Sequence, residues 1–226
     1  TPLKWYELFP LLSYLALRGS CRSCGCKIPS RYFVVELCTG LLFVSTLGLT
    51  LDVFEILLLW FILAVLVVIT VYDFYHFVIP DSLTAATLIG VIGLLGYQYF
   101  LGLLSHEVII LDAAAALAGS GFFLFLWVIS KGAWLGFGDV KLAIPLGLLV
   151  GASSVFSFVV LSFWIGAAIS LLIISVEKLK RGKAALHLPG STLTMKSAVP
   201  FAPFLIAGSL VTFFTNFNVL QLFSSI

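Results

Sequence analysis

Seven stretches of the chain are predominantly apolar, near residues 32–50, 53–72, 82–104, 108–130, 141–152, 154–176 and 198–216. A membrane-crossing helix needs about 20 apolar residues, and most of these runs reach that length. The apolar positions are continuous rather than alternating, which argues for helices over barrel strands. Only helices and closed barrels satisfy every backbone polar group in lipid. The pattern predicts an all-α fold, a polytopic membrane helical bundle of about seven spans. The fifth run is short for a span and carries Pro145, Gly147 and Gly151. Residues 1–31 are expected to form a small cytoplasmic, cysteine-containing segment ahead of the bundle, truncated, and residues 32–226 the membrane domain.

Composition supports this division. Of the 226 residues, 62% are hydrophobic and 10% charged. Soluble domains carry about 45–50% and about 25%. Mean hydropathy is +1.20. A formal charge of +2 is too small to suggest nucleic acid as a partner. The lipid bilayer is the expected surrounding. The first thirty residues lack the basic-then-apolar pattern and small-residue cleavage site of a secretory signal.

The positions of the charges predict orientation, because Lys and Arg favour the cytoplasmic side. Lys4, Arg18, Arg22, Lys27 and Arg31 mark the N-terminal segment. Lys178, Lys180, Arg181, Lys183 and Lys196 mark the loop expected after the sixth run. The turns near 51–55 and 105–107 hold Asp52, Glu55, His106 and Glu107 without Lys or Arg, and are expected outside. This parity puts two acidic turns on the same cytoplasmic face. One is Asp73-Phe-Tyr-His-Phe-Val-Ile-Pro-Asp81, and the other contains Gly136-Phe-Gly-Asp139. Small residues recur within the spans, notably Gly90, Gly93, Gly96, Ala113–Ala116, Ala118, Gly119 and Gly121. They allow helices to approach closely.

Ionisable residues inside membrane segments are costly and are functional candidates by default. Asp73 ends the second run, where the helix dipole disfavours a negative charge. Asp139 opens the fifth run and also suits a plain N-cap. Brought together in a low-dielectric site, two such carboxyls cannot both ionise easily and would share a proton. One could then take a proton from water while the other hydrogen-bonds a peptide carbonyl. Gly136 and Gly138 allow positive φ or close approach of another backbone, as a peptide laid along the turn would require. Lys141, two residues past Asp139, joins them as a candidate for substrate binding. Asp81 reads as an N-cap for the third span and Asp112 as structural. His76, His106 and His187 are scattered singly, although His76 could tune Asp73. Cys21 and Cys24 in Cys-Arg-Ser-Cys-Gly-Cys have the spacing at which two thiolates bind one Zn²⁺. A second pair is absent, so an incomplete zinc site and a pair of free thiols are both open.

Taken in order, these motifs resemble a known family. They are Phe9–Gly40 with its cysteine loop, Asp73 followed by Ile79-Pro80-Asp81, GFGDVKLA at 136–143, and VPFAPFL at 199–205. The chain is similar from Trp5 to Phe204 to bacterial type IV prepilin peptidases, which are GxGD intramembrane aspartyl proteases. The resemblance implies that Asp73 and Asp139 are the catalytic pair. It implies a membrane-embedded endopeptidase of the bacterial inner membrane, multi-pass, with its active site toward the cytoplasm. The implied partners are prepilin or pseudopilin leader peptides, cut after a glycine. It implies no cofactor for cleavage. Many members also methylate the new N-terminus with S-adenosylmethionine, and the family's cysteine pairs suggest Zn. Here Cys21 and Cys24 match the second pair only, and Ala202 stands where the family has Gly. A proton- or cation-coupled transporter using Asp73, Asp139 and Asp112 as a relay is the alternative. A non-catalytic scaffold built on the cysteine loop is a third reading.

Overall fold

The structure, a computed structural model, describes residues 4–50, 52–183, 200–219 and 221. The helices are α1 (Leu12–Ala16), α2 (Ser30–Thr46), α3 (Val53–His76), α4 (Asp81–Phe100), α5 (His106–Ser130), α6 (Phe137–Val150), α7 (Val155–Lys183) and α8 (Ala202–Thr215). Each of the seven apolar runs is a helix, so the all-α membrane class holds. Helices α3, α4 and α5, with Val155–Ser175 of α7, are long and apolar enough to cross a bilayer by length and composition. Helices α6 and α8 have 14 residues each. At 1.5 Å per residue each extends about 21 Å, short of the roughly 30 Å hydrocarbon core.

Several boundaries differ from the expectation. Helix α6 starts at Phe137 rather than 141, which takes Asp139 into its first turn. Helix α7 continues to Lys183, so Lys178, Lys180, Arg181 and Lys183 lie on a helix instead of a loop. His187 and Lys196 lie outside the described residues.

The chain divides into two compact units, Thr1–Val67 and Val68–Ile226. In the first, the Leu11 backbone N–H donates to Glu36 Oε2 at 2.9 Å, and the Tyr14 and Phe33 rings lie 5.1 Å apart. These contacts hold α1 to α2. The Trp60 indole N–H donates to Thr46 Oγ1 at 3.0 Å, and its ring stacks on Phe43 at 5.1 Å. The buried indole N–H thus has the partner it needs.

In the second unit, helices meet through small residues. A Cβ on Gly147 would lie 2.9 Å from the Ala116 Cα, so α5 and α6 are nearly in backbone contact. A Cβ on Gly208 would lie 2.8 Å from the Ser162 backbone N, which does the same for α7 and α8. Lipid is as apolar as leucine, so close packing rather than escape from water drives such contacts. The alanine and glycine stripe of α5 is used selectively. Ala116 and Gly119 face neighbours, whereas Gly121 meets nothing within 4 Å.

The helix ends define two ends of this unit. Lys131 and Gly132 both have positive φ, at 51° and 78°, and close α5. Their N–H groups bond the Val128 and Trp127 carbonyls, the pattern that terminates helices at a left-handed residue. At the other end, the Ala152 N–H donates to Asp112 Oδ1 at 2.7 Å across the α6–α7 turn. Asp112 is therefore occupied in tying that turn to α5. A Gly208→Ala substitution is expected to destabilise the protein by about 1–3 kcal/mol through overpacking. Gly121→Ala should be neutral or slightly stabilising, since Ala gains about 0.5–1 kcal/mol over Gly inside a helix. Thermal unfolding in detergent compares the two.

Candidate active site

Asp139 reaches its place through local chain geometry. Gly136 is extended, with φ −77° and ψ 152°, and serves as the N-cap of α6. Its N–H donates to Asp139 Oδ2 at 2.9 Å, and its carbonyl accepts the Asp139 N–H at 3.1 Å. These reciprocal bonds close the first turn and satisfy groups that a helix start leaves open. The side chain is buried with 6% exposure, although Gly136 itself is exposed. The Ser120 hydroxyl donates to the next carbonyl, that of Val140, at 2.8 Å and ties this turn to α5. The residue at N3 of α6 is thus both a capping group and a buried acid.

Asp73 lies one turn before the end of α3 and is 4% exposed. Its carboxyl accepts a hydrogen bond from the Ala202 backbone, at the first residue of α8. A helix start offers free N–H groups and the positive end of the dipole, which suits a carboxylate. Asp73 Oδ2 is buried with no hydrogen-bond partner among the described residues. A buried acceptor left without a partner is costly. The two carboxyls are near enough for the charge of Asp73 to act on Asp139. Each sits at the start of a short helix, Asp139 on α6 and Asp73 against α8.

Between them runs the α3–α4 corner. Phe77 takes the left-handed conformation, with φ 53°, immediately after α3. Ile79 is buried against Gly138, where an added Cβ would lie 3.1 Å from the Ile79 Cβ. Gly138 is therefore required by the close approach of Ile79. Neither Gly138 nor Gly136 has a positive φ. Asp81 is the first residue of α4 rather than its N-cap, which is Pro80. The Asp81 carboxylate holds Lys141 Nζ with both oxygens at 2.8 Å. Lys141 Nζ also lies 5.1 Å from the centre of the Phe137 ring, and that ring leans on Trp127. The His76 ring packs on Tyr72 at 4.4 Å.

Sequence reasoning did not find the role of α8. Ala202 is wholly buried, and the Phe201 ring before it lies 5.4 Å from Phe163 and 6.1 Å from Phe123. This aromatic cluster pins the start of α8 and so aims the Ala202 N–H at Asp73. The signal was present as VPFAPFL. A backbone donor leaves no mark on residue type, however.

Cys21 and Cys24 lie in a knuckle closed by bonds from Cys21 N–H to the Cys26 carbonyl (2.8 Å) and from Gly25 N–H to the Cys21 carbonyl (2.9 Å). All four cysteines are free thiols. The paired thiols are suitable donors for half of a tetrahedral zinc site. Among the described residues, no three His, Cys, Asp or Glu side chains gather to hold a metal. The described residues therefore supply at most part of the implied zinc site.

Two family models match the chain. The bacterial peptidase A24 N-terminal domain covers residues 1–49, and the type IV leader peptidase family covers residues 60–171. This chain belongs to the type IV leader peptidase family. It is 31% identical to a prepilin leader peptidase/N-methyltransferase of Burkholderia pseudomallei, over 94% of this chain and 63% of that protein. It is 34% identical to one from Aeromonas hydrophila (92% and 66%) and 28% identical to one from Bacillus subtilis (96% and 79%). A relative of the same name from Myxococcus xanthus is 31% identical over 76% of this chain and 51% of its own length. The chain thus spans about half to two thirds of the first relatives it matches. No solved structure matches it. Nothing in these comparisons supports the transporter reading.

Ala202 adopts helical geometry without any need for glycine, which accounts for its tolerance of a methyl group. Ala202→Gly is expected to cost no more than about 1 kcal/mol of stability. Ala202→Val should cost about 1–3 kcal/mol by overpacking a fully enclosed position. Thermal unfolding in detergent measures both.

Proposed function

We propose that the protein is a membrane-embedded aspartyl endopeptidase that removes the basic leader from type IV prepilins or pseudopilins. The observation that carries this reading is the pair of buried carboxyls, Asp73 and Asp139, each held by a backbone N–H at a helix start at the same end of the second unit. Two such acids in a poorly solvated site hold one proton between them. The ionised partner takes a proton from water as that water attacks the scissile carbonyl. The protonated partner hydrogen-bonds the carbonyl oxygen and then donates to the leaving amine. The Gly136 and Ala202 N–H groups stabilise whichever carboxyl carries the charge. No metal takes part in these steps.

Gly136, Gly138 and Lys141 are assigned to the substrate side, Lys141 through the rim it forms with Asp81. Residues 32–226 make up the peptidase, and 1–31 the cysteine-bearing segment. The site faces the cytoplasm of the inner membrane in this reading, because the basic N-terminal segment and the basic end of α7 favour that side. The relatives' names also include N-methyltransferase. That second activity would need S-adenosylmethionine.

The test is cleavage of a leader-bearing prepilin by the protein in detergent. Asp73→Asn and Asp139→Asn should each reduce the rate by at least about 100-fold while thermal unfolding stays near that of the parent. Asn keeps an acceptor for the Gly136 or Ala202 N–H but cannot exchange the proton. Retained cleavage in either folded variant removes that residue from the mechanism.

A further inference from the structure

Asp73 and Asp139 belong to helices far apart in sequence, yet their chemistry needs a fixed separation. Two contacts bind the corner that follows Asp73 to the turn that carries Asp139. One is Ile79 against Gly138, and the other is Asp81 with Lys141. Lys141 lies two residues beyond Asp139 on the same short helix, and Asp81 lies eight beyond Asp73. The ion pair uses both carboxylate oxygens at 2.8 Å, and the Phe137 ring lies beneath the ammonium. Phe137 in turn rests on Trp127 of α5, so the clasp has a rigid floor.

The pair is partly open, with side-chain exposures of 39% for Lys141 and 73% for Asp81. Exposed pairs contribute little to global stability. Asp81 is the first residue of α4 and Lys141 is in the first turn or so of α6, so the pair acts where both helices begin. Its effect there is on register, because it opposes sliding of the corner past α6. A displacement of the order of 1 Å at a reacting centre is enough to cost rate heavily.

We propose that Asp81 and Lys141 are a positioning pair that clasps the α3–α4 corner to α6 and so sets the geometry of the Asp73–Asp139 dyad. This rests on the peptidase reading for its kinetic consequence. Its geometric content stands apart from activity.

The experiment compares Asp81→Asn, Lys141→Gln and the charge-swapped double variant Asp81→Lys/Lys141→Asp. Each single variant should lower kcat roughly ten- to a hundredfold with thermal stability little changed, and Asp81→Asn should leave KM little changed. The double variant should recover most of kcat, as coupled partners do. In parallel, spin labels replace the exposed Val78 and Trp134 in a background whose native cysteines are Ser. The distance distribution between them should be narrow in the parent, broaden in each single variant and narrow again in the swap. Unchanged distances in the single variants overturn the clasp. A rise in KM for Lys141→Gln alone, with distances unchanged, overturns it in favour of direct contact between Lys141 and substrate. If the parent does not cut prepilin, the peptidase reading fails, and the distances still decide the clasp.

Discussion

The second unit is organised around the need to keep two acids in an apolar bundle. A carboxyl in that setting needs hydrogen-bond donors, and the bundle supplies them from helix starts. Gly136 offers its N–H to Asp139, and Ala202 offers its own to Asp73. Backbone donors add no side-chain entropy cost and bring no counter-charge. A Lys or Arg in their place would stabilise both acids as anions and suppress the sharing of a proton. The arrangement leaves Asp73 Oδ2 without a hydrogen-bond partner among the described residues.

Much of the surrounding structure serves those two helix starts. Helix α8 is buried along most of its length and locked to α7 by the close approach of Gly208 to Ser162. The Phe123, Phe163 and Phe201 rings hold its first turn. Helix α6 is held to α5 by Gly147 against Ala116 and by the Ser120 hydroxyl. Its other end is fixed by Asp112 through the Ala152 N–H. Pro145 lies inside α6 and gives no N–H to the Lys141 carbonyl. Close packing against neighbours therefore has to keep this helix straight enough to carry Asp139.

Asp112 illustrates how similar residues acquire different roles. It is as buried as the other two acids, with 8% exposure. Its carboxylate instead accepts the Ala152 N–H of the turn at the far end of α6. Position along the bundle, rather than burial, separates Asp112 from the two acids proposed to react. The cysteine knuckle shows a comparable limit on spacing as a guide. Cys21 and Cys24 share one backbone-closed knuckle, but a tetrahedral zinc site needs two further ligands.

Hydropathy made the all-α membrane class legible and placed its apolar helices to within several residues, because lipid admits only helices and closed barrels and the apolar runs are continuous rather than alternating. Composition and motif order also made Asp73 and Asp139 legible, since a carboxyl at the edge of an apolar run is conspicuous for its cost. Which glycines matter was not legible. Gly121 and Gly147 look alike in sequence, and only packing decides that one faces nothing and the other meets Ala116. The two donors that hold the aspartates were hidden because they are main-chain groups, common to every residue but proline. The Asp81–Lys141 pair was hidden because it joins residues 60 apart. Tertiary structure decided these points, because a hydrogen bond or an ion pair depends on where helices begin relative to one another, and residue type does not record that.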